Sequence, residues 1–228
     1  ETWTAEIEEA LTEDLDSVGK ILRLLDSLAQ HYFTVAELQI MNGNIGGWAE
    51  MKKGFRYGYW AIRISVRRWE LNTRRTKSAI VSVEEAGKHY ALGVSLGANA
   101  EAMWLGDRLS RSREDGAFGC WDSGRLGSYL LTLYLRSKGD NETVVVPQTW
   151  GLGPYSYILD QWNTRINLSE AILEVCEYHL DHTCESDEEL TEFVTTPFIY
   201  IPVEIISLEK IRANLGLETP RPDHELFS

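Results

Sequence analysis

The apolar positions of this chain recur mostly at steps of three and four, the spacing that lines one face of an α-helix. Over 17–41, Val18, Ile21, Leu22, Leu25, Leu28 and Ala29 fall on such a face. "MNGNIGG" at 41–47 breaks the pattern, since Asn and Gly supply turn and left-handed conformations. From Trp48 to Trp69 the step resumes through Met51, Phe55, Tyr59, Ile62 and Val66, and Lys52, Lys53, Arg56, Arg63, Arg67 and Arg68 take the opposite face. The same periodicity predicts helices over 5–16, 74–95, 97–112, 121–136, 154–164, 168–182 and 186–194. Asn99 lies near the start of one, "SREDG" near its stop, and Asn167 or Ser169 is placed to cap the helix over 168–182.

Pro202 suits the first position of a last helix, along which Leu208, Ile211 and Leu215 form an apolar stripe. Gly216 sits where a left-handed terminating residue belongs. The strand-like "TVVVP" has no evident pairing partner and reads as part of an irregular connector over 139–154. The expected fold is therefore all-α: a single compact multi-helix domain over 1–228 with one long irregular connector. Halves 1–138 and 154–228, packed together, are its natural division.

Composition sharpens this picture. Hydrophobic residues make up 43% of 228, with eight Trp and ten Tyr, enough for a sizeable core and against disorder. The longest uncharged apolar runs fall short of a membrane span, and no signal-peptide pattern is present. Three cysteines make no disulfide framework in a chain of this length, so a reducing cytoplasm is the expected setting. The net charge of −13 argues against nucleic acid or an anionic membrane as a direct partner, since both demand clustered Lys and Arg. A basic protein is the natural complement.

Candidate chemistry is sparse. "CEYHLDHTC" brings Cys176, His179, His182 and Cys184 close in sequence, residue types that suit zinc. On a helix, however, His182 rotates away from the face shared by Cys176 and His179. Structural zinc sites draw paired ligands from separate elements, and here all four are consecutive. Histidines complementing a helix C-terminus are the plainer reading, so neither metal nor other cofactor is expected. A helical metal-dependent hydrolase using Cys176, His179 and His182 is the alternative to a binding role. There is no G-x-S-x-G elbow, His89 has no evident catalytic partner, and "GNIGG" lacks the GK[ST] ending of a phosphate loop. No catalytic residue is expected. Two stretches suit partner binding instead. "ESDEELTE" concentrates Glu185, Asp187, Glu188, Glu189 and Glu192 at a helix start, where they also complement the dipole. Trp150, in the connector, is a candidate interface anchor, or packs that connector onto the core.

The ending carries a resemblance. "PVEIISLEKIRANLGL" followed by "PDHELF" resembles the C-terminal pattern of the immunity protein 49 family of bacterial polymorphic-toxin systems. The residues that carry it are Pro202, Glu204, Ile205, Leu208, Arg212, Gly216, Leu217, Asp223, His224 and Leu226, about one eighth of the chain. Helical immunity proteins against PoNe-type DNases share this size and helical character. The resemblance implies a non-enzymatic protein that binds one cognate toxin domain tightly. Toxins acting on nucleic acid or nucleotides tend to carry basic clefts, which an acidic inhibitor meets quickly. The matched residues look structural, since they define a helix and its cap.

Overall fold

The computed structural model describes residues 15–71, 81–119, 125–140, 151–183, 192–193 and 195–227. Among these the fold is all-α, with two-residue strands as the extended exceptions. The contacts group into two units, one drawing on 1–82 with 111–119 and the other on 83–110 with 120–228. The division thus falls near 82 and 110, not at the connector between 1–138 and 154–228. Residues 141–150 of that connector, "TVVVP" among them, lie outside the described residues.

The first unit is built on helices α1 (Leu15–Met41) and α2 (Gly47–Leu71), joined by the predicted Asn/Gly turn. Gly43 in that turn has φ of +73°, and Asn44 Oδ1 accepts from the amide of Gly46 at 2.9 Å. Val18, Leu22, Ala29, Phe33 and Ala36 of α1 and Met51, Phe55, Ile62 and Val66 of α2 are buried. The helices approach closely because α2 carries glycine where they meet. A Cβ on Gly54 would lie 2.6 Å from the Phe33 ring and 3.1 Å from the carbonyl oxygen of Ala29. β1 (Val81–Ser82) pairs in parallel with β2 (Phe118–Gly119) in the same unit. Of the helix predicted over 74–95, residues 74–80 lie outside the described residues, and Val81 and Ser82 take a ladder pairing that periodicity does not report, so the described helix starts at Val83.

The second unit contains α3 (Val83–Leu96), the body of α4 (Asn99–Asp115), α5 (Arg125–Ser137), α6 (Tyr155–Asp160), α7 (Arg165–Asp181) and α8 (Val203–Asn214). A 3-10 turn, Glu225–Phe227, ends the described chain. Helix α5 is apolar on nearly every side and is buried from Leu126 to Tyr134. α3 and α8 both pack against it. α7 starts three residues earlier than expected, with Thr164 as N-cap rather than Asn167 or Ser169. Its hydroxyl donates back to Gln161 Oε1 at 2.8 Å, closing the α6–α7 turn.

The last helix bears out the reading of its stop. Gly216 has φ of +74°, and Leu217 N donates to Arg212 O at 2.9 Å while Gly216 N donates to Ala213 O at 3.0 Å. This 6→1 and 5→2 pair closes the helix in the left-handed manner that glycine permits without strain. Pro202 sits one place earlier than expected, as N-cap. Leu208 and Ile211 are buried, but Leu215 leaves their stripe for solvent because the chain has already left the helix there.

Candidate functional site

Helix α8 brings charge into the core. Glu204 and His179 are both fully buried, and His179 Nδ1 lies 2.7 Å from Glu204 Oε1. The other ring nitrogen, Nε2, is 3.2 Å from the carbonyl oxygen of Ile199. Both neighbours are acceptors, so the arrangement suits an imidazolium donating twice. Burial pulls the His179 pKa down, but the Glu204 charge and hydrogen bonds to Glu204 and Ile199 outweigh it and hold it above the usual value. Phe193 closes over the ring at 4.0 Å between centroids. Glu204 Oε2 and the Tyr129 hydroxyl are buried with no hydrogen-bond partner among the described residues.

Arg212, also buried, ties the end of α8 to its surroundings. It donates to the carbonyl oxygen of Trp162, to Glu218 O at 2.6 Å and to Thr219 Oγ1 at 3.0 Å. Its guanidinium lies over the Trp162 ring at 5.3 Å, and that of Arg136 does so at 4.7 Å. Lys88 of α3 is buried too, donating to Glu84 and to the carbonyl oxygen of Glu192. These groups are engaged by protein partners and act as clamps. The chemistry they offer is positional.

The metal-type residues do not converge. Cys176 is fully buried, and burial pushes its thiol up to about 12. His179 has both ring nitrogens committed, as above. His182 Nδ1 meets the carbonyl oxygen of Tyr178 at 2.8 Å, and its ring stacks on Tyr178 at 3.9 Å. Cys184 lies outside the described residues, and among those described no three His, Cys, Asp or Glu side chains are grouped to hold an ion. Among the described residues the donors do not converge on one point. His89 is likewise structural, with Nδ1 3.0 Å from Glu85 O.

Of the residues proposed for partner binding, Trp150, Glu185, Asp187, Glu188 and Glu189 lie outside the described residues. Glu192 is described, and it is buried rather than displayed. Phe193 beside it enters the core and draws Glu192 in, where its carboxylate accepts from Tyr155 at 3.4 Å. Burial, with Glu84 nearby, raises its pKa to about 7. Residues 192–193 are not helical, so the helix expected over 186–194 does not reach them.

An exposed acidic face does occur, on α7. Glu170, Glu174, Glu177 and Asp181 follow one another at steps of four, three and four, and all are exposed. Exposed apolar groups lie along the same helix: Ile166, 80% exposed, and Leu173, with Tyr157 of α6 nearby. Tyr157, Gln161, Asn167, Glu170, Ala171 and Glu174 line an open cleft of about 380 Å³. Only Glu177 of the four has a described ion-pair partner, His224 Nε2 at 3.5 Å. The spacing of these carboxylates was readable in the sequence.

None of the described helices is long and apolar enough to cross a membrane. Comparison of the chain with protein-family models, with curated proteins and with solved structures finds no match.

Proposed function

We propose that this protein is an immunity protein, a stoichiometric inhibitor that binds a cognate toxin domain through the acidic face of α7 and neutralises it without chemistry of its own. The observation that carries this reading is that face: four exposed carboxylates beside exposed Ile166, Leu173 and Tyr157. Ion pairs at a rim steer association and apolar anchors at its centre slow dissociation, which is what tight inhibition of a basic cleft requires. The terminal motif supports the same reading. Its Glu204, Leu208, Arg212 and Gly216 serve the core and the helix stop, as expected of a fold signature rather than of a reactive centre.

Co-expression with the toxin encoded in the neighbouring gene should rescue growth, and the purified pair should elute as one complex. Failure of both overturns the proposal. Reversing Glu170, Glu174 and Asp181 to Lys should slow association about tenfold or more at low salt and flatten its salt dependence. An unchanged rate in the folded variant moves the contact elsewhere, with Trp150 and the acids at 185–189 next to be tested.

A further inference from the structure

Helix α1 has two apolar faces, and its fold uses one. Val18, Leu22, Ala29, Phe33 and Ala36 are buried within the first unit. The second face runs Ile21, Leu24, Leu28, His31, Val35 and Leu38, at steps of three, four, three, four and three. That is an a/d heptad seam sustained over eighteen residues. Leu28 and Val35 within it are half-buried, while Ile21 is exposed by 47%, Leu24 by 60% and Leu38 by 58%, and beyond the seam Met41 and Ile45 are exposed still more. Counting about 200 Å² for a fully exposed large side chain, these five alone present on the order of 600 Å² of apolar surface, the upper range for a monomer's largest patch.

The seam's own composition says what covers it. Positions flanking an a/d seam normally carry the charges that choose a partner and its direction. Here Leu25, Ser27, Tyr32, Thr34, Gln39 and Met41 hold those flanks, and the charges beside the seam are Lys20 at its start and Lys53 of α2, which lies over the Tyr32 ring at 5.4 Å. A chain of net charge −13 thus presents a seam with almost no charge to repel a copy of itself. At a stand β-branched Ile21 and Val35 with Leu28 between them, and at d Leu24 and Leu38 with His31 between them; Ile21, Val35, Leu24 and Leu38 are the side chains that favour two parallel strands. Ile21, Leu24, Leu38 and Met41 of two copies together offer on the order of 900 Å², a small interface.

We propose that two copies of this chain associate through α1, parallel and in register, so that Leu24 and Leu38 of each meet their counterparts. The association is independent of any toxin, so its test needs none. Sedimentation velocity of the full chain, from about 1 to about 200 µM, should show a reversible monomer–dimer equilibrium in the micromolar range expected of so small an interface. The double variant Leu24→Glu, Leu38→Glu should weaken it about a hundredfold or more, by setting like charges in the seam. Both side chains face solvent in the monomer, so circular dichroism should remain helical. Mild oxidation of Leu24→Cys should give a covalent dimer absent from the parent. A chain monomeric at every concentration overturns the proposal, and so does a dimer indifferent to the double variant. A dimer that Leu24→Cys does not cross-link overturns the parallel register.

Discussion

The α1–α2 hairpin and the α6–α8 segment solve the same packing problem with opposite means. The hairpin closes by removing side chains: Gly54 lets Phe33 against the backbone of α2, and apart from Glu37 and Ser65 the buried side chains are mostly apolar. The α6–α8 segment closes with buried polar clamps, His179 on Glu204 and Arg212 on Trp162, Glu218 and Thr219. Their surfaces invert too. Residues 15–71 carry eight Lys and Arg against five Asp and Glu, while 155–183 carry one against five. On α2 the exposed stripe is Lys52, Lys53, Arg56 and Trp60, and on α7 it is Glu170, Glu174, Glu177 and Asp181. Net charge describes neither region, and a partner meets a face, not an average.

The contrast can be broken most sharply at His179. His179→Ala leaves Glu204 buried and unpaired, so it should destabilise by about 3–5 kcal/mol, read from urea midpoints. The double variant His179→Leu, Glu204→Leu should recover much of that loss, since an apolar pair needs no counter-charge. If the single variant costs under about 1 kcal/mol, the clamp contributes little.

Next in size is pH. Burial raises Glu37 of the hairpin to about 7, and Glu192 of the other unit reaches about 7 as well. Both bind a proton more tightly folded than unfolded. Their contribution is therefore complete below the ordinary value of 4.5 and is lost as pH climbs through 7. His179, also raised, acts in the same direction. Melting temperature should fall between pH 6 and pH 8.5, buffer conditions that bracket these titrations. Glu37→Gln should remove part of that fall, on the order of 3 kcal/mol at most, while changing little near pH 4.5. An equal alkaline fall in the variant would show that Glu37 ionises freely.

Gly54→Ala tests the hairpin's means of closure. The added methyl meets buried Phe33, so overpacking should cost about 1–3 kcal/mol, against a helix-propensity gain of up to about 1. A more stable variant would mean that Phe33 has room to move. The smallest effect should come from the surface. Replacing Lys52 and Arg56 with Gln should leave the melting curve within about 0.5 kcal/mol of the parent.

Most of the described helices, the Asn/Gly turn and the Gly216 stop were legible in the sequence because each rests on local chemistry: periodicity, glycine's positive φ and proline's missing donor. Local chemistry could not say which apolar face of α1 would be covered. Ile21 and Leu22 are equally apolar, and the packing of α2 buries Leu22 while leaving Ile21 in solvent. Nor could it join His179 to Glu204, twenty-five residues apart, or turn Glu192 inward behind Phe193. Spacing fixes which residues share a face of one helix. Burial and pairing depend on what another segment places against that face, and this the tertiary structure alone decides.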